Sequence, residues 1–201
     1  MLAIVTFLVL SACAAARADE GKPLLHDHDL PAIAAPGFRL PLDASWKIAR
    51  GSWTVKDGVL EAVELPEEKH AAVLHHQVGL ESAVIECEFR LEGSATFIVG
   101  CDGERHVGRV VVRPGGMDIA EDSVKPSHII ASLKAPVPSG AWHHLRVEWQ
   151  GDRMAARLNS QELRAQHPFL ATPKTRSWLA VGKTVKVRDL KINGVKTPPK
   201  R

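Results

Sequence analysis

Along much of this chain apolar and polar side chains alternate one by one. Ala83, Ile85, Cys87, Phe89 and Leu91 interleave with Val84, Glu86, Glu88, Arg90 and Glu92. That is the period of a strand with one face buried, its odd-numbered residues inward. Phe97, Val99 and Cys101 keep the same parity beyond the turn-prone Glu92-Gly93-Ser94. Val110 and Val112 alternate with Arg109 and Arg113, and Leu145, Val147 and Trp149 with His144, Arg146 and Glu148. Gln150-Gly151-Asp152 and Asn159-Ser160 read as turns on either side of Met154, Ala156 and Leu158. Val185 and Val187 alternate with Lys186 and Arg188, the parity slips at Asp189, and a bulge is the simplest reading. About ten short strands, with Gly, Asp and Pro between them and no long helical pattern, predict an all-β antiparallel sandwich or barrel.

The ends of the chain read differently. Met1 to Leu10 is apolar except for Thr6, and Ser11 to Ala16 carries only small side chains. Such a run is a secretory signal, too short to span a bilayer, so residues 1–18 are expected to be an export signal. Cleavage after Ala16-Arg17-Ala18 would release a secreted or periplasmic protein. Alternatively, Leu10-Ser11-Ala12-Cys13 resembles a bacterial lipobox, which would make the chain a lipoprotein anchored through Cys13. No other segment is apolar enough for a membrane span. Residues 19–36 hold three Pro and no sustained period, and read as a linker; 37–196 form the domain, and 197–201 a tail. Lys plus Arg number 26 and Asp plus Glu 23, a net +3 with His neutral. That even balance gives no electrostatic reason for a nucleic-acid partner.

Trp53-Thr54-Val55-Lys56-Asp57-Gly58-Val59-Leu60 is a strand, an Asp-Gly turn and another strand. It resembles the W-x-V-x-D-G-V-L opening of the 3-keto-disaccharide hydrolase domain family. Glu86 to Leu91, Trp142 to Gly151 and Val187 to Ile192 are similar to further stretches of that family, and the resemblance covers roughly residues 38–195. It implies a concanavalin A-like jelly roll, an exported carbohydrate-active protein, and a general acid/base pair, for which Glu88 and His75 or His76 are the candidates. The related family 16 glycoside hydrolases carry E-x-D-x-x-E on one strand; Glu86-x-Glu88 begins similarly, with Leu91 in the last acidic position. Side chains at i and i+2 share a face, so Glu86 and Glu88 could approach the roughly 5 Å that a retaining pair needs. The alternative is a non-catalytic carbohydrate-binding or cell-surface module, and a third reading is an adhesion domain without any glycan.

If the strand reverses at Ser94, Leu91 faces Phe97, Phe89 faces Val99, and Cys87 faces Cys101. The two cysteines then form either a cross-strand disulfide or two buried thiols. The same register puts Glu88 opposite Gly100 and Glu86 opposite Asp102, with Arg109 added from the next strand and His106 at the rim. Glu86, Asp102, Arg109 and His106 are therefore the expected saccharide contacts, with Gly100 leaving room for the ligand. Trp53 and Trp149 fall on inward parity and read as core. Trp46, Trp142 and Trp178 are undetermined, and an exposed one could stack on a pyranose ring. No metal motif with convincing spacing exists and no cofactor is expected. Asp118, Glu121 and Asp122 could offer oxygen ligands to Ca²⁺, and His26-Asp27-His28-Asp29 could hold a transition metal. Nucleophile motifs and phosphate-cradling loops are absent.

Overall fold

A computed structural model describes residues 22–38 and 42–198, apart from the side chain of Ser94. The expected export signal, with Cys13, lies outside the described residues. Strands follow one another almost without interruption: β1 (Ala32–Ala34), β2 (Trp46–Arg50), β3 (Ser52–Lys56), β4 (Val59–Val63), β5 (Ala72–His76), β6 (Leu80–Asp102), β7 (His106–Arg113), β8 (Gly116–Glu121), β9 (His128–Lys134), β10 (His143–Gln150), β11 (Arg153–Leu158), β12 (Gln161–Gln166) and β13 (Arg176–Lys196). Two short 3-10 turns, Pro66–Glu68 and Pro168–Ala171, complete the described elements.

All the pairings are antiparallel, and two long strands organise them. β6 and β13 pair along nearly their whole lengths, from Arg176 opposite Asp102 to Lys196 opposite Leu80. The first half of β6 also pairs with β10, which leads outward to β11 and β12. The second half pairs with β7, which leads to β8 and β9. On the far side, β13 takes β5 and then β2 along Ser177–Val181, β4 and β3 along Thr184–Val187, and β1 near Ile192. The result is a two-layer sandwich whose layers share β6 and β13. Sheet I runs β12-β11-β10-β6-β13-β4-β3, and sheet II runs β9-β8-β7-β6-β13-β5-β2. At the open side of the sandwich, β12 approaches β9 and β8.

The inward parity is that expected from the alternation. Ala83, Ile85, Cys87, Phe89, Leu91, Phe97, Val99 and Cys101 all lie in one core with Leu145, Val147, Trp149, Met117 and Ile119. Trp53 and Trp149 are core residues, and Trp46 joins them. Turns also fall where the chemistry asks for them. Asp57 and Gly58 both take positive φ between β3 and β4, as a two-residue hairpin turn of this hand requires. The slip at Asp189 is a bulge: register shifts between Arg188 and Lys191, with Asp189 at φ +52°.

Three expectations are corrected. The strand does not reverse at Ser94: β6 continues for 23 residues, and Gly93 (φ +65°) bends it across from sheet I to sheet II. On β13 the matching irregularity falls between Gly182 and Thr184, with Lys183 at φ +66°. Cys87 and Cys101 therefore sit 14 positions apart on one strand, Cys87 beside Leu145 and Cys101 beside Gly108 and Ser177, as free buried thiols. Burial raises both thiols, Cys101 to about 12. Finally, residues 22–36, read as linker, lie against sheet I. Leu24, His26 and Leu30 are buried, Leu24 N and Leu25 N donate to the Glu148 carboxylate at 2.9 and 2.8 Å, and Ala32 pairs with Asn193.

Candidate functional site

The bend in β6 divides the expected groove. Glu86 and Glu88 leave from its first half, on the outer face of sheet I. Asp102, with His106 and Arg109 of β7, lies on the outer face of sheet II. Glu86 accepts from His144 Nε2 at 2.8 Å and Arg146 Nη1 at 3.3 Å. Burial opposes its charge, but those donors hold its carboxyl below the ordinary value, the reverse of what a general acid needs. Glu88 is ion-paired with Arg188. His76 points into the core, where its ring packs on Trp46 at 4.7 Å between centroids, and burial lowers its pKa. His75 is on the outer face of sheet II, beside Trp178 in register. Neither histidine meets Glu88, so the expected acid/base pair is not assembled.

What the fold does assemble is a network around Asp102. The carboxylate is buried at the end of β6, 1% exposed. Its Oδ1 accepts from Trp178 Nε1 at 2.6 Å and from His106 Nδ1 at 2.7 Å. Its Oδ2 accepts both Arg176 Nε and Arg176 Nη2, at 2.9 and 2.8 Å. Register explains the convergence: Arg176 lies directly across from Asp102 on one side and His106 on the other, with Trp178 across from Gly100. The indole occupies the space over that glycine, where an added Cβ would stand 2.3 Å from Trp178 Cζ2. The room expected at Gly100 is thus filled by a side chain and not left for a ligand.

Burial disfavours the Asp102 charge, yet hydrogen bonds from His106, Arg176 and Trp178 keep its carboxyl below the ordinary range. The Asp102 carboxylate in turn raises the His106 pKa, outweighing that ring's partial burial. The His106 side chain is 56% exposed and its ring lies tilted against Trp178, centroids 5.3 Å apart and planes at 54°. It is an imidazole oriented through its Nδ1 bond to Asp102. His75 feels the same charges: burial and then Arg176 lower its pKa, the opposite direction to His106.

Above this network lies a cleft of about 270 Å³ lined by Asp102, Arg105, His106, Asp122, Lys125 and Arg176. Arg109 does not line it, but reaches the lining residue Asp122 as an ion pair at 3.2 Å and is bonded to Ser127. Asp122 Oδ2 is buried with no hydrogen-bond partner among the described residues. Arg105 lies over the Phe169 ring at 4.8 Å and, like Lys125, has no carboxylate partner among the described residues. Cationic donors, one oriented imidazole and an unsatisfied carboxylate oxygen suit a polyhydroxylated ligand carrying negative charge.

A second depression, of about 320 Å³, lies on the outer face of sheet I between Thr54, Lys56, Glu61, Arg90, Trp142 and Lys186. Its Trp142 ring already carries the Arg188 guanidinium at 4.1 Å and Arg90 at 5.4 Å. Much of the rest of that face is closed by residues 22–30: Glu148, Arg146 and Arg157 are all buried there.

The three acids expected to share a Ca²⁺ do not converge. Asp118 bonds Arg113 and Ser132, Asp122 faces Arg109, and Glu121 turns inward to Ser123, His128 and His167. His26 is buried near Glu148, 4.0 Å away, while His28 is exposed. Alternation and turn chemistry signalled Asp102, Arg109 and His106. Arg176 and Trp178 carried no local signal, because their partner lies 74 and 76 positions away.

No protein-family model and no curated protein matches the chain. Solved structures do. A carbohydrate-binding module, CBM66 from Bacillus subtilis, superposes with a TM-score of 0.61 at 12% identity, covering 75% of this chain and 96% of that one. The exoplasmic/lumenal domain of VIP36, solved with Ca²⁺ and Man3GlcNAc, gives 0.60 at 10% identity over 86% and 93% of the two chains. A family 7 alginate lyase in complex with substrate gives 0.59 at 9% identity, over 84% of this chain and 100% of that one. At such identities these likenesses define the fold: an antiparallel jelly-roll sandwich of the concanavalin A-like kind.

Proposed function

We propose that this chain is an exported carbohydrate-binding protein whose ligand, a glycan bearing carboxylate or sulfate groups, lies in the Asp102 cleft on the outer face of sheet II. The observation that carries this reading is a buried carboxylate gripping His106, Arg176 and Trp178 directly beneath an open cleft rimmed by Arg105 and Lys125. Preorganised donors lose little freedom on binding, so a shallow site still reaches useful affinity. The neighbours that bind or cleave polysaccharide, by their own descriptions, agree with it. Export through residues 1–18, with release before Asp19 or anchoring at Cys13, belongs to the same reading.

The test is calorimetric titration of residues 19–201 with uronate or sulfated oligosaccharides beside neutral ones of equal length. Tighter binding of the acidic set is expected, weakened at least tenfold by Arg105→Ala or His106→Ala. Equal binding of both sets, or no effect of either substitution, would remove the proposal.

One observation favours a second reading. The Asp102–His106 pair is a carboxylate-oriented imidazole in an open cleft, the arrangement that general acid/base catalysis uses. A hydrolase of the 3-keto-disaccharide type would act through His106 here, since Glu88 is held by Arg188 and His76 by Trp46. Incubation with 3-keto and unoxidised disaccharides separates the readings: released sugar that disappears in His106→Ala marks an enzyme, and intact sugar a binding module.

A further inference from the structure

We propose that Glu121, His128 and His167 form a binding site for a borderline divalent cation of the Zn²⁺ class, at the side of the sandwich where its two sheets meet. Each residue comes from a different element: Glu121 ends β8, His128 opens β9, and His167 follows β12 at the start of the Pro168–Ala171 turn. One ligand atom from each lies within 4.8 Å of the other two. Glu121 Oε1 is 3.3 Å from His128 Nδ1, and Oε2 is 3.8 Å from His167 Nδ1. Ligands bonded at about 2.0–2.1 Å to a tetrahedral ion stand about 3.4 Å apart, so only small side-chain movements are needed to close on a metal.

The surroundings suit that role. Glu121 has inward parity on β8, two positions beyond the core residue Ile119, and its side chain is 1% exposed. Ser123 N and Oγ hold the carboxylate at 2.6 and 2.9 Å, fixing its orientation while leaving lone pairs toward the imidazoles. His167 Nδ1 takes only a long 3.3 Å bond from Phe169 N, a contact that a metal would displace. The His128 side chain is 59% exposed, so water or a ligand atom can complete the coordination. Two imidazoles and one carboxylate are a borderline donor set. A hard cation such as Ca²⁺ asks for six to eight oxygens and finds one carboxylate here. Because β12 belongs to sheet I and β8 and β9 to sheet II, a bound ion would also clasp the two layers together.

The experiment titrates metal-stripped full chain with ZnCl₂ and, separately, CaCl₂, by calorimetry and thermal melting. One equivalent of Zn²⁺ is expected to bind and raise Tm, with no response to Ca²⁺. His128→Ala alters a mostly exposed side chain and should weaken Zn²⁺ at least tenfold while leaving the metal-free Tm unchanged. Glu121→Gln, which keeps the shape, should do the same to affinity. His28→Ala, in the competing His26-Asp27-His28 segment, should leave Zn²⁺ binding intact. Absence of binding, binding indifferent to His128→Ala, or binding abolished by His28→Ala would each overturn the site.

Discussion

Asp102 is the residue on which most of the proposed chemistry turns. It is buried, and all four of its strong contacts are donors from other elements. Asp102→Ala would leave Trp178 Nε1 and the inner side of Arg176 without partners, a loss of about 3 kcal/mol from breaking a buried charged network. Urea denaturation measures it, and a loss below about 1 kcal/mol would show the network to be incidental. The pH dependence follows from the two shifts. Asp102 sits below its ordinary 3.8, so its contribution is present above that pH and falls away as acid protonates it. His106 sits above its ordinary 6.5, so its contribution is full below that pH and fades as pH rises through the raised value. The stability difference between wild type and His106→Ala should therefore be greatest between about pH 4 and 6.5 and shrink on the alkaline side. A difference that grows with pH would contradict the assignment of charge.

At the scale of the strand, the alternation of side chains was fully legible, and its path was not. Odd parity from Ala83 to Cys101 correctly marks the buried face of β6. Yet Glu92-Gly93-Ser94 serves equally well to reverse a strand or to bend one, and parity survives either way. Which occurs is decided by β13, the partner of both halves, which lies 74 or more positions further along the chain. A reversal there would give Glu86, Glu88 and both cysteines different neighbours from those that the continuous strand gives them. Asp102 and His106 were recoverable because only a short turn separates them. Gly100 makes the element-scale prediction. Gly100→Ala drives a methyl into Trp178, expels the indole from its place over β6 and costs about 2 kcal/mol or more. A lower Tm with red-shifted tryptophan emission is expected; unchanged emission would mean that the indole does not rest there.

Among the described residues, one outer face of the molecule is open and the other partly closed. Residues 22–30 lie across sheet I, burying Leu24 and Leu30 and giving backbone donors to the Glu148 carboxylate. The sequence of residues 19–36, with three Pro and no sustained period, reads as a linker, because contacts made by isolated residues leave no periodic trace. Deleting residues 1–30 should lower Tm by on the order of 10 °C relative to deleting residues 1–21, from the loss of two buried leucines and the cover over Glu148. Equal melting of the two truncations would return the segment to linker status. Sheet II has no such cover among the described residues, and it carries the Asp102 cleft.

The most direct measurement is therefore a ¹⁵N–¹H correlation spectrum recorded during titration with an acidic oligosaccharide. Five tryptophans give five indole signals. The Trp178 indole, bonded to Asp102, should shift together with amides near Gly103–His106 and Arg176, while the Trp142 indole on sheet I stays in place. Movement of Trp142 without Trp178, or a spectrum that does not change, would contradict the account.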